Sequence, residues 1–191
     1  KSGLVIVISA PSGAGKDTIL RRVLAKDPLV AYSVSMTTRR PRSGERDGFD
    51  YRFVDRATFE QARDSGGLFE WAEVHGNLYG TPREEVERLT ASGKDVIFEL
   101  DVQGMRNVRA AGVDAVTVFI MAPSVEELER RLIERATDSR EEIARRVAGA
   151  RNEIKERHSF DYIVINEDLD TAVGDLEAII RSQRLRASRQ P

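Results

Sequence analysis

The 191-residue chain sets 30 Lys and Arg against 32 Asp and Glu, a formal charge of −2, which argues against a general nucleic-acid binder. With 40% hydrophobic and 32% charged residues, it suits one α/β domain with an ordinary core and an ionic surface. It has no cysteine and only two histidines, His75 and His158, so disulfides and thiolate metal sites are excluded and a histidine metal site is disfavoured.

Residues 4–8 form a continuous β-branched run, the pattern of a strand buried on both faces of a parallel sheet. The run is too short to span a membrane and lacks the length and basic flank of a signal peptide, so a cytoplasmic protein with no membrane partner is expected. A glycine-rich turn then leads into a helix over 17–26, with Ile19, Leu20, Val23 and Leu24 on one face. Residues 33–80 are polar and dense in Gly and aromatics, and read as short strands and loops inserted into the α/β rhythm. Thr81 followed by Pro82 predicts an N-cap with proline at the first helical position, and Gly93 follows that helix.

Further buried strands are predicted over 95–100, 115–121 and 162–165. Ser124 with Glu127, and Ser139 with Glu142, fit capping boxes. They open an Arg/Glu-rich helical pair across 124–157, joined near Thr137 and Asp138. A last helix over about 171–185 carries Val173, Leu176 and Ile180 on one face. Alternating buried strands and amphipathic helices predict a parallel sheet covered on both sides.

The sequence APSGAGKDT at 10–18 sits between the first strand and the first helix, where a phosphate-binding loop must sit. Glycines let the backbone curl and aim N–H groups at anionic oxygens, and the following helix favours negative charge at its N-terminus. Lys16 would reach the β- and γ-phosphates. Ala10 stands where the motif has its first glycine, and Asp17 where it has a magnesium-binding Ser or Thr. Asp17 can either take Mg²⁺ directly or repel the triphosphate and leave the metal to Thr18.

The chain also resembles the guanylate kinase family. The match runs through SAPSGAGK at 9–16, SVSMTTRRPR at 33–42, Gly44 with Glu45, and GFDY at 48–51. It continues in order through FEWA at 69–72, GNLYGT at 76–81 and ELDVQG at 99–104. The resemblance implies a P-loop NTPase-type core (1–32, 94–123, 159–191), a GMP-binding subdomain (33–93) and a lid (124–158). It implies phosphoryl transfer from ATP to GMP, and to dGMP, with Mg²⁺.

By the same resemblance Ser35, Arg39, Arg42, Tyr51 and Tyr79 hold the GMP phosphate, and Glu70, Thr81 and Glu99 read guanine. Guanidinium forks suit phosphate oxygens, and a carboxylate accepts from the N1–H and N2–H that adenine lacks. ATP falls to Ser12, Gly13, Ala14, Gly15, Lys16, Asp17 and Thr18, with Arg131 and Asn166. Lys16, Arg39, Arg135 and Arg146 are the catalytic set, and Asp17 and Asp101 the metal candidates.

Plainer roles compete. Arg39 and Arg42 can be a solvated basic loop, and Arg131, Arg135 and Arg146 can pair with Glu127, Glu134, Glu141 and Glu142 on exposed helices. Glu70 and Glu99 can be partners in core salt bridges, Asp101 the cap of a helix at Val102, and Asn166 a turn residue. His75 and His158 read as structural. Two other functions share parts of this pattern. One is a ribose bisphosphate kinase, suggested by Lys16 with Asp17; the other is a non-catalytic phosphopeptide-binding domain. A homo-oligomer is left open.

Overall fold

The β-branched run does form a buried strand. In the computed structural model, which describes residues 2–74, 76–134 and 139–190, β1 is Val5–Ser9 and the helix after the glycine turn, α1, is Lys16–Lys26. The chain continues with β2 (Val30–Tyr32), β3 (Met36–Thr37), β4 (Arg52–Phe53), α2 (Arg56–Asp64), β5 (Leu68–Val74), β6 (Asn77–Pro82) and α3 (Arg83–Ala91). Then come β7 (Asp95–Glu99), α4 (Val102–Ala110), β8 (Ala115–Met121), α5 (Val125–Glu134), α6 (Arg140–Lys155), β9 (Tyr162–Ile165) and α7 (Leu169–Arg184). His75, Arg135 and the expected lid joint at Thr137 and Asp138 lie outside the described residues. A five-stranded sheet has the order β2-β7-β1-β8-β9, with β2–β7 and β8–β9 parallel, so its strands are joined through helical crossovers. The chain divides into two compact units.

One unit comprises Lys1–Val7 and Leu29–Ala115. Here β2 lies along β7 from Val30 beside Asp95 to Tyr32 beside Ile97. Asp95 is buried because its carboxylate accepts the Leu4 N–H at 2.7 Å. Gly3 runs against the carbonyl of Lys94, where a Cβ would lie 1.8 Å from the oxygen. A second sheet, in the order β4-β3-β6-β5, is built on the β5–β6 hairpin. Phe59, Leu68 and Leu78 form its core, with Met36, Val54 and Ala62 packed around them.

Two expectations change in this unit. Residues 33–80 hold a helix, α2, besides strands and loops. Its sequence is polar all round and buries only Phe59 deeply, so no apolar face marks it; its start is set by Asp55, whose carboxylate accepts from Thr58 N at 2.7 Å. The second change concerns Thr81 and Pro82. They end β6, so α3 begins at Arg83 with Pro82 as its N-cap. Thr81 is no cap, because its hydroxyl is turned inward to a carboxylate.

The other unit comprises Ile8–Pro28 and Val116–Pro191. Strands β8 and β9 run parallel from Val118 beside Tyr162 to Met121 beside Ile165. β9 is not the doubly buried strand expected: Val164 is buried, but Ile163 and Ile165 are 38% and 49% exposed. It is the last strand of its sheet, and one face is uncovered. Helix α7 starts two residues earlier than expected, capped by Asp168 on Thr171 N at 2.9 Å, and packs on α1 and β9. Helices α5 and α6 close on a cluster of Ala122, Leu128, Leu132, Val147 and Ala150. Ser124 caps Glu127 N at 3.1 Å and Ser139 caps Glu142 N at 3.2 Å, each cap contributing about 1 kcal/mol. In the first box Glu127 turns its carboxylate to arginines.

Candidate active site

The loop at 10–18 takes its shape from Gly13 and Gly15, at φ of 91° and 85°, a left-handed region that other residues enter at a cost. Gly15 is also the N-cap of α1 and has no side chain to occupy the first N–H groups of the helix, the arrangement that binds anions. Gly13 also gives close approach to α5: a Cβ would sit 3.1 Å from Leu132 Cγ.

Side chains from far along the chain hold this loop. Asn166, buried just after β9, donates from Nδ2 to the Ala14 carbonyl at 2.8 Å. Its own carbonyl accepts from Arg131 Nη2 at 2.9 Å, and Arg131 Nε donates to Glu127 at 2.7 Å. Arg130 and Arg131 together pull the Glu127 carboxyl down to about 2. Arg146 donates from Nε to Ser12 Oγ at 3.0 Å, and its Nη2 reaches the same oxygen. Lys16, with a side chain only 18% exposed, places Nζ 2.9 Å from Asp17 Oδ1, while Asp17 is 75% exposed and Thr18 is exposed beside it.

In the other unit Arg39 forms a two-pronged pair with Glu45, at 2.9 Å from Nη1 and 2.8 Å from Nη2. Nη1 also donates to the Arg40 carbonyl, and the guanidinium lies 5.3 Å from the Tyr51 ring centre and 5.7 Å from that of Phe53. Tyr51 packs edge-on to Tyr79. Glu45 is held low by Arg39 and accepts the Arg42 N–H at 2.6 Å; the Arg42 side chain itself is exposed. Arg39 is thus a clamped cation and not a solvated one. Ser35 is buried nearby in sequence, immediately before β3.

Glu70, on β5, is 7% exposed and its Oε1 accepts from the Thr81 hydroxyl at 2.8 Å. Burial pushes its carboxyl up to about 7, the negative Asp101 adds to this, and the Thr81 bond opposes it. The partner is a hydroxyl and not a buried cation, so the core salt bridge is not what forms. Thr81 has one hydroxyl proton, and here that proton orients Glu70. Asp101 caps α4, accepting the Gly104 N–H at 2.7 Å. Gly104 lies beside both acids and packs closely on Leu100: a Cβ there would sit 3.0 Å from Leu100 Cβ and in ordinary contact, at 3.4 Å, with Glu70 Oε2 and Asp101 Oδ1. Glu99, the last residue of β7, is half-buried.

The sequence candidates therefore gather as two sets, one in each unit. Ser12, Gly13, Ala14, Gly15, Lys16, Asp17, Thr18, Arg131, Arg146 and Asn166 belong to one unit; Ser35, Arg39, Arg42, Tyr51, Glu70, Tyr79, Thr81, Glu99 and Asp101 belong to the other. Arg135 lies outside the described residues. Sequence reasoning missed Glu45 and Gly104 as working parts, although both stand inside quoted motifs. An acid six residues after an arginine was the available signal for Glu45. Among the described residues there is no group of three or more His, Asp or Glu placed to hold a metal ion.

A family model described as guanylate kinase matches residues 2–183. The chain is 52% identical over 188 residues to the guanylate kinase of Aromatoleum aromaticum, covering 98% of this chain and 92% of that protein. It is 48% identical over 188 residues to that of Myxococcus xanthus, covering 98% and 90%. The crystal structure of guanylate kinase from Anaplasma phagocytophilum superposes with a TM-score of 0.80 at 35% identity, over 99% of this chain and 90% of that one. Neither the sugar-phosphate kinase nor the peptide-binding alternative finds support in these matches. The chain belongs to the guanylate kinase family.

Proposed function

We propose that this chain transfers the γ-phosphoryl group of ATP to GMP, and to dGMP, with its residues divided as follows. Lys16 and the N–H groups of the 12–18 loop receive the ATP phosphates. Arg39, Arg42, Tyr51, Tyr79 and Ser35 hold the GMP phosphate, and Glu70, Thr81 and Glu99 select guanine. Arg135 and Arg146, from a lid over 124–158, neutralise charge on the transferring group, with Arg131 and Asn166 on the ATP side. The core is 1–32, 94–123 and 159–191, and the GMP subdomain 33–93.

The observation that carries this reading is the Glu70–Thr81 pair. A buried carboxyl on the β5–β6 hairpin, held by the Thr81 hydroxyl, is an acceptor suited to guanine N1–H and N2–H. Adenine offers neither group in that pattern. Family membership makes the chain a phosphotransferase.

The reaction needs a GMP phosphate oxygen to attack the γ-phosphorus in line while the bond to the β,γ-bridging oxygen breaks and ADP leaves. No general base is needed, because the nucleophile is already anionic, and catalysis rests on positioning and charge neutralisation. Closure of the lid and the GMP subdomain would exclude water and so protect ATP from hydrolysis. The oxygen donors of Asp17, exposed on the first turn of α1, and Thr18 beside it fit a hard cation such as Mg²⁺. When bound, that cation would offset phosphate charge. Asp101 caps α4 through Oδ1, and this leaves its second carboxylate oxygen to act on such a cation, directly or through water. A cytoplasmic setting in purine metabolism, where both nucleotides occur, accords with this reading.

The test is a coupled assay of ADP release from Mg-ATP with GMP, dGMP, AMP, UMP and ribose bisphosphate in turn. GMP and dGMP should be turned over and the other three should not. Absence of GMP-dependent ADP release would overturn the reading.

A further inference from the structure

The phosphate loop has a brace that no motif describes. Asn166 is buried, and three of its polar groups bond to three different elements: its backbone N–H donates to Met121 at the end of β8 at 2.8 Å. Its carbonyl accepts from Arg131 on α5. Its side-chain amide donates to the Ala14 carbonyl in the loop at 2.8 Å.

The last bond has a consequence for phosphate binding. A trans peptide points its C=O and its N–H in opposite directions. Fixing the Ala14 carbonyl on Asn166 therefore fixes the Gly15 N–H to point away from Asn166, as a donor at the N-terminus of α1. Gly15 must be glycine for the same bond to form, since a Cβ there would lie 2.3 Å from Asn166 Nδ2. The same helix that holds Arg131 also packs Leu128 and Leu132 against Gly13. Helix α5 thus touches the loop directly at Gly13 and indirectly at Gly15.

We propose that Asn166 is a positioning residue, which sets the Ala14–Gly15 peptide for triphosphate binding and ties its orientation to α5 through Arg131. It acts on the phosphates through the loop and is not a reader of the adenine base. This rests on the reading that the 10–18 loop receives the triphosphate.

Binding of three probes to the full chain separates the possibilities: ATP, ITP and inorganic tripolyphosphate, each with Mg²⁺, measured by calorimetry. Asn166→Leu keeps the branched shape and removes the donor, and Asn166→Ala serves if the larger side chain does not fold. Either variant should weaken all three probes by a similar factor of about tenfold, a change of about 1.4 kcal/mol. KM for GMP should stay within about twofold, since a hydrogen bond confined to the loop contributes on that scale only there. Arg131→Met should weaken tripolyphosphate by a smaller factor. Combined with Asn166→Leu it should add less than its separate effect, because both act on one contact chain. A loss confined to ATP, with tripolyphosphate unchanged, would make Asn166 a base reader and overturn the proposal. So would unchanged binding of all three, or full additivity with Arg131→Met. A wild-type chain that binds none of the probes would instead overturn the phosphate-loop reading.

Discussion

The 10–18 loop and the Arg39 clamp, both proposed above to hold phosphate, present their donors by opposite means. The loop uses backbone N–H groups, shaped by Gly13 and Gly15 and supported by side chains 134 and 152 residues away in sequence. The clamp uses a guanidinium, oriented by a carboxylate six residues away and by the rings of Tyr51 and Phe53. Backbone donors cannot be re-aimed by changing their own side chain, so they need external braces. A guanidinium carries its donors with it and needs only a local partner. The first site should therefore fail at a distance, and the second should fail locally.

The largest effect is expected at the side chain proposed to reach the triphosphate. Lys16→Met removes the charge proposed to meet the β- and γ-phosphates, together with its ion pair to Asp17. Turnover should fall by at least about 10²–10³, the scale for losing one electrostatic contact to the transition state. GMP affinity, measured by calorimetry, should hold within about twofold. A variant with full activity would remove Lys16 from the mechanism.

Arg39→Lys strikes the other site. It keeps a charge but loses the fork, the Glu45 pairing geometry and the contact with the rings. KM for GMP should rise about 30-fold, the equivalent of one charge-assisted hydrogen bond, with KM for ATP unchanged. If KM for ATP rose equally, the local character of the clamp would be refuted.

The same contrast explains what was legible in the sequence. The loop was readable from its glycines, its lysine and its place between β1 and α1, but its braces were not. Nothing near Asn166 or Arg146 announces that its partner is Ala14 or Ser12; those contacts exist only once the chain is folded. In the clamp Arg39 and Tyr51 were named from the sequence, but Glu45, only six residues from Arg39, was not read as the acid that orients it. Spacing in a loop does not fix which side chains meet. Helix α2 escaped because one buried phenylalanine does not make a periodic pattern. The exposure of β9 escaped because an apolar strand looks the same at the edge of a sheet as within it. Thr81 misled for a chemical reason: a Thr-Pro pair does fit a helix start, but here the hydroxyl is committed to a buried acid.

That acid gives the third prediction. Glu70 keeps its proton up to about 7, chiefly because it is buried. Accepting two N–H bonds from guanine requires the carboxylate, so GMP affinity should fall as pH drops through 7, by about tenfold between pH 8 and pH 6. The GMP phosphate titrates near 6 as well, so the readout is the ratio of wild type to Glu70→Gln at each pH. The variant should bind more weakly at pH 8 and lose selectivity over AMP. A ratio independent of pH would show that Glu70 does not bind as an anion. Stability of the free protein has its own sign. The unfolded carboxyl ionises from about 4.5 while the folded one stays protonated, so stability should decline as pH rises from 4.5 to 7 and then level off.

Glu45 gives the smallest effect and the closest test of the clamp. Its carboxyl is held below the ordinary range by Arg39, so it stays ionised from pH 6 to 8 and adds no slope to the Glu70 experiment. Its pairing occupies the Nη1–Nη2 edge of Arg39, and the Arg40 carbonyl takes a further Nη1 hydrogen. On the proposed reading the GMP phosphate is left the edge that includes Nε. Two outcomes are therefore physically opposed. If Glu45 pre-aims the fork, Glu45→Gln should raise KM for GMP by about threefold, the scale of an ion pair near the surface. If Glu45 competes with phosphate for the same donors, the variant should bind GMP more tightly. The division of edges on Arg39 favours pre-aiming, and a lower KM in Glu45→Gln would reverse that assignment.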